Sequence, residues 1–208
     1  MGNINKVLDT LDVDFIDQLH YVMGKRKWGT WRDHHIIKYP EDMIAYAMVI
    51  QSNPPDYIVE TGTAHGGSSM FLADILSLFN KNGKVITVDI KALRIPVHPM
   101  VTYIEGSSTD PKIVERIKGM VSGKVMVILD SSHRGAHVER EINAYSPIVT
   151  KGQFMVIEDV YYRQREYWPK WARDRFLAKT DKFKLVPICE RYIVGVTRGG
   201  WLQRVADE

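Results

Sequence analysis

The chain has 208 residues, of which 45% are hydrophobic, and a formal net charge of only +3. That composition suits one α/β domain with a short extension, excludes a disordered chain, and without a basic block gives no reason to expect nucleic acid as a partner. The single cysteine, Cys189, excludes an internal disulfide and fits a reducing, cytoplasmic setting; no apolar stretch is long enough to span a bilayer, and the N-terminus has no signal-peptide hydrophobic region.

In chain order, Val13, Phe15, Ile16, Leu19 and Val22 have close to helical spacing and predict an N-terminal helix over Leu11 to Met23, outside the main sheet. Trp28 to His35 reads as an aromatic and polar loop without a period. Pro40-Glu41-Asp42 starts a helix to about Gln51, because proline suits a first turn and acids suit the positive end of the helix dipole. Pro54-Pro55 stops it.

Strands and helices then alternate. Strands are expected at Tyr57–Glu60, Val85–Asp89, Val101–Glu105, Val125–Asp130 and Phe154–Glu158, with closing strands at Leu185–Ile188 and Tyr192–Thr197. Helices are expected at Ser68–Phe79, from Asp110-Pro111 to about Met120, from near Ala136 to Tyr145, and around Trp168 to Lys179. The central strands are apolar throughout, as strands covered on both faces are. The alternation predicts an α/β, doubly wound, mostly parallel seven-stranded sheet. Residues 1–208 are expected to form a single domain, with 1–53 as an N-terminal helical cover and 54–208 as a Rossmann-like core.

The chain is organised around Tyr57-Ile58-Val59-Glu60-Thr61-Gly62-Thr63-Ala64-His65-Gly66-Gly67-Ser68. A short strand ends in an acid, a glycine turn follows, and a helix begins. Gly62 can take backbone angles closed to other residues, and the free N–H groups near Gly66 and Gly67 offer donors to a ligand. The dinucleotide fingerprint needs G-x-G-x-x-G, and here Thr63 stands at its second glycine. Glu60 would repel a pyrophosphate but suits an amine, which favours S-adenosylmethionine, a cofactor with an ammonium, a sulfonium and no phosphate. Asp89, at the next strand end, can accept hydrogen bonds from both ribose hydroxyls. Either acid alone could serve a local network or simply end its strand; together, in this order, they point to the cofactor. Gly62, Thr63, Ala64, Gly66 and Ser68 are the candidate loop contacts.

Ligands of such sheets bind beyond the carboxyl ends of the strands. Val127-Ile128-Leu129-Asp130-Ser131-Ser132-His133 and Met155-Val156-Ile157-Glu158-Asp159 put three carboxylates at two of those ends. If the strands are neighbours, the carboxylates repel one another unless they hold a cation or bind protons. Hard oxygen ligands suit Mg²⁺, or Mn²⁺ or Ca²⁺ as replacements. Asp130, Glu158 and Asp159 are therefore candidate metal ligands, although a single strand-end acid can equally cap the helix that follows. His133 is the candidate general base. His137, four residues on, is expected to share a helix face with it. Trp28, Trp31, Trp168, Trp171 and the loop Tyr161-Tyr162-Arg163-Gln164-Arg165 are candidate walls of an acceptor site or plain packing residues.

The string Glu60 to Ser68, then Leu129-Asp130-Ser131-Ser132-His133, then Ile157-Glu158-Asp159 resembles the cephalosporin hydroxylase and rhamnosyl O-methyltransferase family over roughly Trp28 to Thr197. The resemblance implies a Rossmann-like class I methyltransferase fold, S-adenosylmethionine and Mg²⁺ as cofactors, and a homo-oligomer. It matches Asp130, Glu158 and Asp159 to metal ligands and Glu60, Gly62 and Asp89 to cofactor contacts; Ser107 and Ser108 fall where adenine contacts usually lie. Nothing in the chain looks like an iron site of two histidines and a carboxylate, so methyl transfer to a hydroxyl of a small molecule, a sugar or natural-product diol, is the expected reaction. The rival readings are an NAD-dependent oxidoreductase, which Thr63 and Glu60 speak against, and a cofactor-binding partner subunit, which the three acids speak against.

Overall fold

The computed structural model describes residues 29–160, 168–188, 195 and 197–207. The expected N-terminal helix, Trp28, Cys189, the loop Tyr161 to Arg165 and nearly all of the expected strand at Tyr192–Thr197 lie outside the described residues. A small hairpin comes first, β1 (Thr30–Trp31) and β2 (His34–His35), followed by α1 (Pro40–Ser52). The alternating part is β3 (Tyr57–Thr61), α2 (Gly67–Phe79), β4 (Lys84–Asp89), β5 (Val101–Glu105), α3 (Pro111–Lys118), β6 (Val125–Leu129), α4 (Gly135–Tyr145), β7 (Phe154–Ile157) and α5 (Pro169–Leu177). It closes with β8 (Phe183–Leu185) and β9 (Trp201–Arg204).

The seven long-sheet strands lie in the order β5-β4-β3-β6-β7-β9-β8. Pairings are parallel from β5 through β7, and β9 runs antiparallel to both β7 and β8. Because side chains alternate along a strand, each strand feeds both layers. Ile58, Met126, Ile128, Phe154 and Val156 meet Ala45, Tyr46, Val49 and Ile50 of α1 and Phe71, Leu72 and Leu76 of α2. Val59, Val127, Leu129, Met155 and Ile157 face α3, α4 and α5 through Val114, Ile117, Val138, Ile142 and Ala172. Among the described residues no helix is long and apolar enough to cross a membrane.

The closing strands differ from those expected. β8 begins at Phe183, earlier than Leu185, and the strand inserted between β7 and β8 is Trp201–Arg204, with Thr197 in the turn before it. Trp201 and Leu202 are fully buried, and Trp201 packs its ring on Tyr46 and Phe154. The segment hides because Gln203 and Arg204 make it look like a polar tail. Arg204 is in fact buried, and its guanidinium donates to the carbonyls of Pro147 and Val149 at 3.1 and 2.8 Å.

The stretch expected as a loop before α1 contains the β1–β2 hairpin. Arg32 and Asp33 both have positive φ (49° and 61°), the turn whose twist matches that of paired strands. The hairpin is clasped to α2 through Asp74, which accepts from Trp31 Nε1 at 2.8 Å and from Arg32 Nε and Nη2 at 2.6 and 2.7 Å. Trp31 also meets Phe71 edge to face. These hydrogen bonds hold the Asp74 carboxyl below the ordinary aspartate range, Arg32 outweighing the opposing effect of burial. A depressed carboxyl stabilises the fold above its unfolded pKa, and that contribution is lost as pH falls through the depressed value. Asp74→Asn should therefore be less stable than the wild type at neutral pH, with the gap closing as the pH drops through the acid range; urea unfolding at a series of pH values checks this.

Candidate functional site

Register explains why the acids gather. Thr61 of β3 pairs with Val88 of β4 and with Leu129 of β6, and Leu129 pairs with Ile157 of β7. The next residue along each strand (Gly62, Asp89, Asp130 and Glu158) therefore stands in one row at the carboxyl edge. Adjacent strands are about 4.8 Å apart, so Asp130 and Glu158 are direct neighbours while Asp89 lies two strands from Asp130. The sheet's order reverses between β3 and β6, the place where ligands of open α/β sheets bind.

A cavity of about 340 Å³ opens there, within the size range of small-molecule sites. Its lining brings together the expected Gly62, Thr63, Ala64, Gly67, Ser68, Asp130, His133, Glu158 and Asp159 with residues not singled out as contacts, His35, Ile37, Lys38, Tyr39, His65 and Ser131. Gly62 has φ +90°, and a Cβ there would lie 2.1 Å from the Asp130 carbonyl oxygen. A Cβ on Gly67 would lie 2.2 Å from the His35 carbonyl oxygen, so the hairpin rests directly on the start of α2. Gly66 is the left-handed N-cap of α2, and among the described residues no side chain caps that end.

Glu60, Gly66, Asp89, Ser107 and Ser108 are not among these lining residues. β3 continues to Thr61, so Glu60 is one residue inside the strand, level with Thr87 and Ile128. It is fully buried, and its Oε2 accepts from the hydroxyls of Ser69 and, at 2.8 Å, Thr87. Thr87 has given its proton to Glu60, so Thr63 donates to Thr87 at 2.8 Å. Glu60 Oε1 has no partner among the described residues. Glu60 thus braces strand, loop and helix from behind the cavity wall. Asp89 accepts from the Ala64 N–H at 2.9 Å and the Lys91 N–H at 3.1 Å, which ties the glycine loop to β4. Ser107 and Ser108 follow β5 outside the cavity lining; Ser108 Oγ lies 3.2 Å from His137 Nε2, and its carbonyl accepts from Tyr145 Oη at 2.8 Å.

Lys38 is the central residue that the sequence did not reveal. Its Nζ donates to Asp130 Oδ2 at 2.6 Å and to Glu158 Oε1 at 2.7 Å, with its side chain 4% exposed. Tyr46 of α1 donates to the same Glu158 oxygen at 2.5 Å. Glu158 Oε2 is buried and unpartnered among the described residues. Burial pushes the Glu158 carboxyl up to about 8; Lys38 pulls against it, and Asp130 and Asp42 add to it. Burial likewise raises Asp130 to about 6, with Lys38 opposing and Asp159 and Glu60 reinforcing. Burial alone would lower Lys38, but the charges of Asp130 and Glu158 outweigh it and hold the ammonium well above its usual range. Burial and Glu158 together raise Tyr46, which stays a neutral donor. The only hint in the sequence was a lone lysine inside the apolar run Ile36-Ile37-Lys38-Tyr39.

Asp159 has φ +56°, a conformation that costs a non-glycine residue energy and gathers at functional sites. Its Oδ2 lies 2.8 Å from His133 Nδ1, and this hydrogen bond raises the His133 pKa against the effect of burial. The Trp168 ring stands 6.4 Å from that of His133, whereas Trp171 packs against the core under Arg175. Trp31, clasped to α2, is not among the lining residues. His133 precedes α4, which starts at Gly135, so it shares no helix face with His137, whose Nε2 lies 3.2 Å from Ser131 Oγ. Among the described residues no three acids or histidines already stand as a metal-ligand cluster; between Asp130 and Glu158 the cation is Lys38.

A doubly wound sheet with an antiparallel β9 beside β7, a glycine turn after the first long strand and acids at the edge define a Rossmann-like fold of the class I methyltransferase type. The chain belongs to the Rhamnosyl O-methyltransferase/CmcI family, whose model matches residues 25–205. It is 38% identical over 129 residues to the rhamnosyl O-methyltransferase of Mycobacterium tuberculosis (59% of this chain, 53% of that protein) and 32% identical over 144 residues to that of Mycobacterium leprae (65% and 63%). It thus spans about half to two thirds of the length of these relatives. A solved structure of CmcI with Mg and SAM superposes with a TM-score of 0.69 at 21% identity, covering 86% of this chain and 77% of that one, and so shares the fold.

Gly62→Ala would force a Cβ into the Asp130 carbonyl and a left-handed φ onto alanine. The expected cost is roughly 2–4 kcal/mol of stability, measured by urea unfolding against the wild type.

Proposed function

We propose that this chain is an O-methyltransferase that moves the methyl group of S-adenosylmethionine to a hydroxyl of a small molecule, with a divalent cation, Mg²⁺, at Asp130, Glu158 and Asp159. The observation that carries this reading is one cavity bounded by the glycine turn and by these carboxylates, with His133 bonded to Asp159 at its wall. The likeness to rhamnosyl O-methyltransferases favours a sugar hydroxyl as the acceptor.

The donor set fits the cation. Ionised, Asp130, Glu158 and Asp159 offer a divalent ion three carboxylates, hard oxygen ligands of the kind Mg²⁺ takes. The buried, unpartnered Glu158 Oε2 adds a hard oxygen that needs a partner. Bound there, Mg²⁺ would hold acceptor oxygens and acidify the hydroxyl that attacks. Gly62, Thr63, Ala64, Gly66 and Ser68 would receive S-adenosylmethionine, Asp89, one strand from Gly62, would accept from its ribose hydroxyls, and Ser107 and Ser108 would contact its adenine. When bound, the cofactor would supply a methyl group that an acceptor oxygen takes as the carbon–sulfur bond breaks, leaving S-adenosylhomocysteine, and His133 would take the hydroxyl proton. Asp159 holds Nδ1, which leaves Nε2 to take that proton. Glu60 acts from behind, through the loop and α2 that it braces.

Two outcomes test the reading. Asp89→Ala should bind S-adenosylmethionine more weakly by calorimetry while staying folded, and the wild type should bind S-adenosylhomocysteine and not NAD. Methyl transfer to glycoside acceptors, followed with labelled cofactor and no partner protein, should stop in EDTA and return with Mg²⁺; activity that persists in chelator would sink the metal role.

His133→Ala should lower turnover roughly 10²–10⁴-fold with cofactor affinity unchanged. Because a base works unprotonated, wild-type activity should climb with pH as His133 loses its proton, and the His133→Ala variant should lack that rise. A variant with full turnover across that profile would assign the proton to another group.

A further inference from the structure

The Asp130–Glu158 pair already holds a cation of the chain's own. Lys38 reaches it from the segment between β2 and α1, in which Ile36 (4% exposed) and Tyr39 (2%) are buried and Ile37 faces out. Its ammonium sits within hydrogen-bond distance of both carboxylates, one from each of two adjacent strands, and its side chain has no room in solvent. Glu158 Oε1 is shared with Tyr46, so the oxygen of Glu158 that lacks a partner among the described residues is Oε2. Asp159 is turned to His133 and not to the lysine. An ammonium and a divalent ion that draw on the same two carboxylates repel each other at close range, and each is a counter-ion that the buried pair needs in the absence of the other.

We propose that Lys38 is a tethered counter-ion that competes with the divalent cation for Asp130 and Glu158, and so sets the affinity of the site. The inference rests on the metal reading of these carboxylates. It separates two roles that look alike in the geometry. A lysine that merely braces the carboxylates for the metal would help the ion bind. A lysine that stands in its place weakens the ion's binding while keeping the ion-free protein folded.

The experiment uses the full chain and metal ions alone, with no cofactor or acceptor. Mn²⁺ binding is measured by electron paramagnetic resonance and Mg²⁺ binding by calorimetry, for the wild type, Lys38→Met and Lys38→Gln. Melting temperatures are recorded in EDTA and in Mg²⁺. Competition predicts that both variants bind the ions at least tenfold more tightly than the wild type. It also predicts that they melt lower than the wild type in EDTA and gain more on adding Mg²⁺, because the metal replaces the missing ammonium. If Lys38→Met folds only when Mg²⁺ is present, that too is the expected substitution of one cation for the other; a variant that Mg²⁺ cannot rescue contradicts it. Unchanged or weaker metal binding in folded variants overturns the competition and makes Lys38 a brace, leaving the metal site intact. Absence of metal binding in wild type and variants alike overturns the metal reading itself, and the competition with it.

Discussion

Everything at this site depends on the cost of burying two carboxylates on neighbouring strands. Asp130 and Glu158 follow paired residues, so the sheet places them about one strand spacing apart, with Glu158 buried and Asp130 partly so. Such a pair is unstable as two bare anions. Lys38 and Tyr46 answer that cost with an ammonium and a phenol hydroxyl. Both come from the part of the chain before the sheet, so the N-terminal segment is held to the core by electrostatics as well as by the apolar face of α1.

The same economy of strand ends shapes the glycine loop. Gly62 lets β3 end against the Asp130 carbonyl, and Gly67 lets the hairpin seat on α2. Asp89 fixes Ala64, Glu60 fixes Ser69, and Asp74 fixes the hairpin. Asp89 takes backbone N–H donors of the loop, Glu60 takes hydroxyls of α2 and β4, and Asp74 takes the side chains of the hairpin, so each acid ties two elements around the cavity. A rigid wall of this kind suits a reaction in which much of the acceleration comes from aligning a hydroxyl with a methyl group.

The placement of His133 shows how position is divided between local and distant features. Its closeness to Asp130 is local, three residues along one chain. Its hydrogen bond to Asp159 joins β6 to β7 and depends on the left-handed backbone at Asp159. The Trp168 ring near it comes from the residue just before α5, beyond β7.

By itself the sequence determined the α/β alternation, the limits of nearly every central strand and helix, the glycine turn, and the presence of acids at several strand ends. These are legible because burial on both faces, helical period and turn chemistry act over a few neighbouring residues. The tertiary structure alone decided that Glu60 lies inside its strand and braces the loop, a matter of one residue of register. It decided that Trp201–Arg204, polar in its second half, is a buried strand, because Arg204 finds carbonyls some 55 residues away. And it decided that Lys38, 92 residues from Asp130 and 120 from Glu158, is the cation between them. No periodicity carries such a pairing: it follows from which elements pack together, and a lysine in an apolar loop reads the same in the sequence whether it faces solvent or two buried carboxylates.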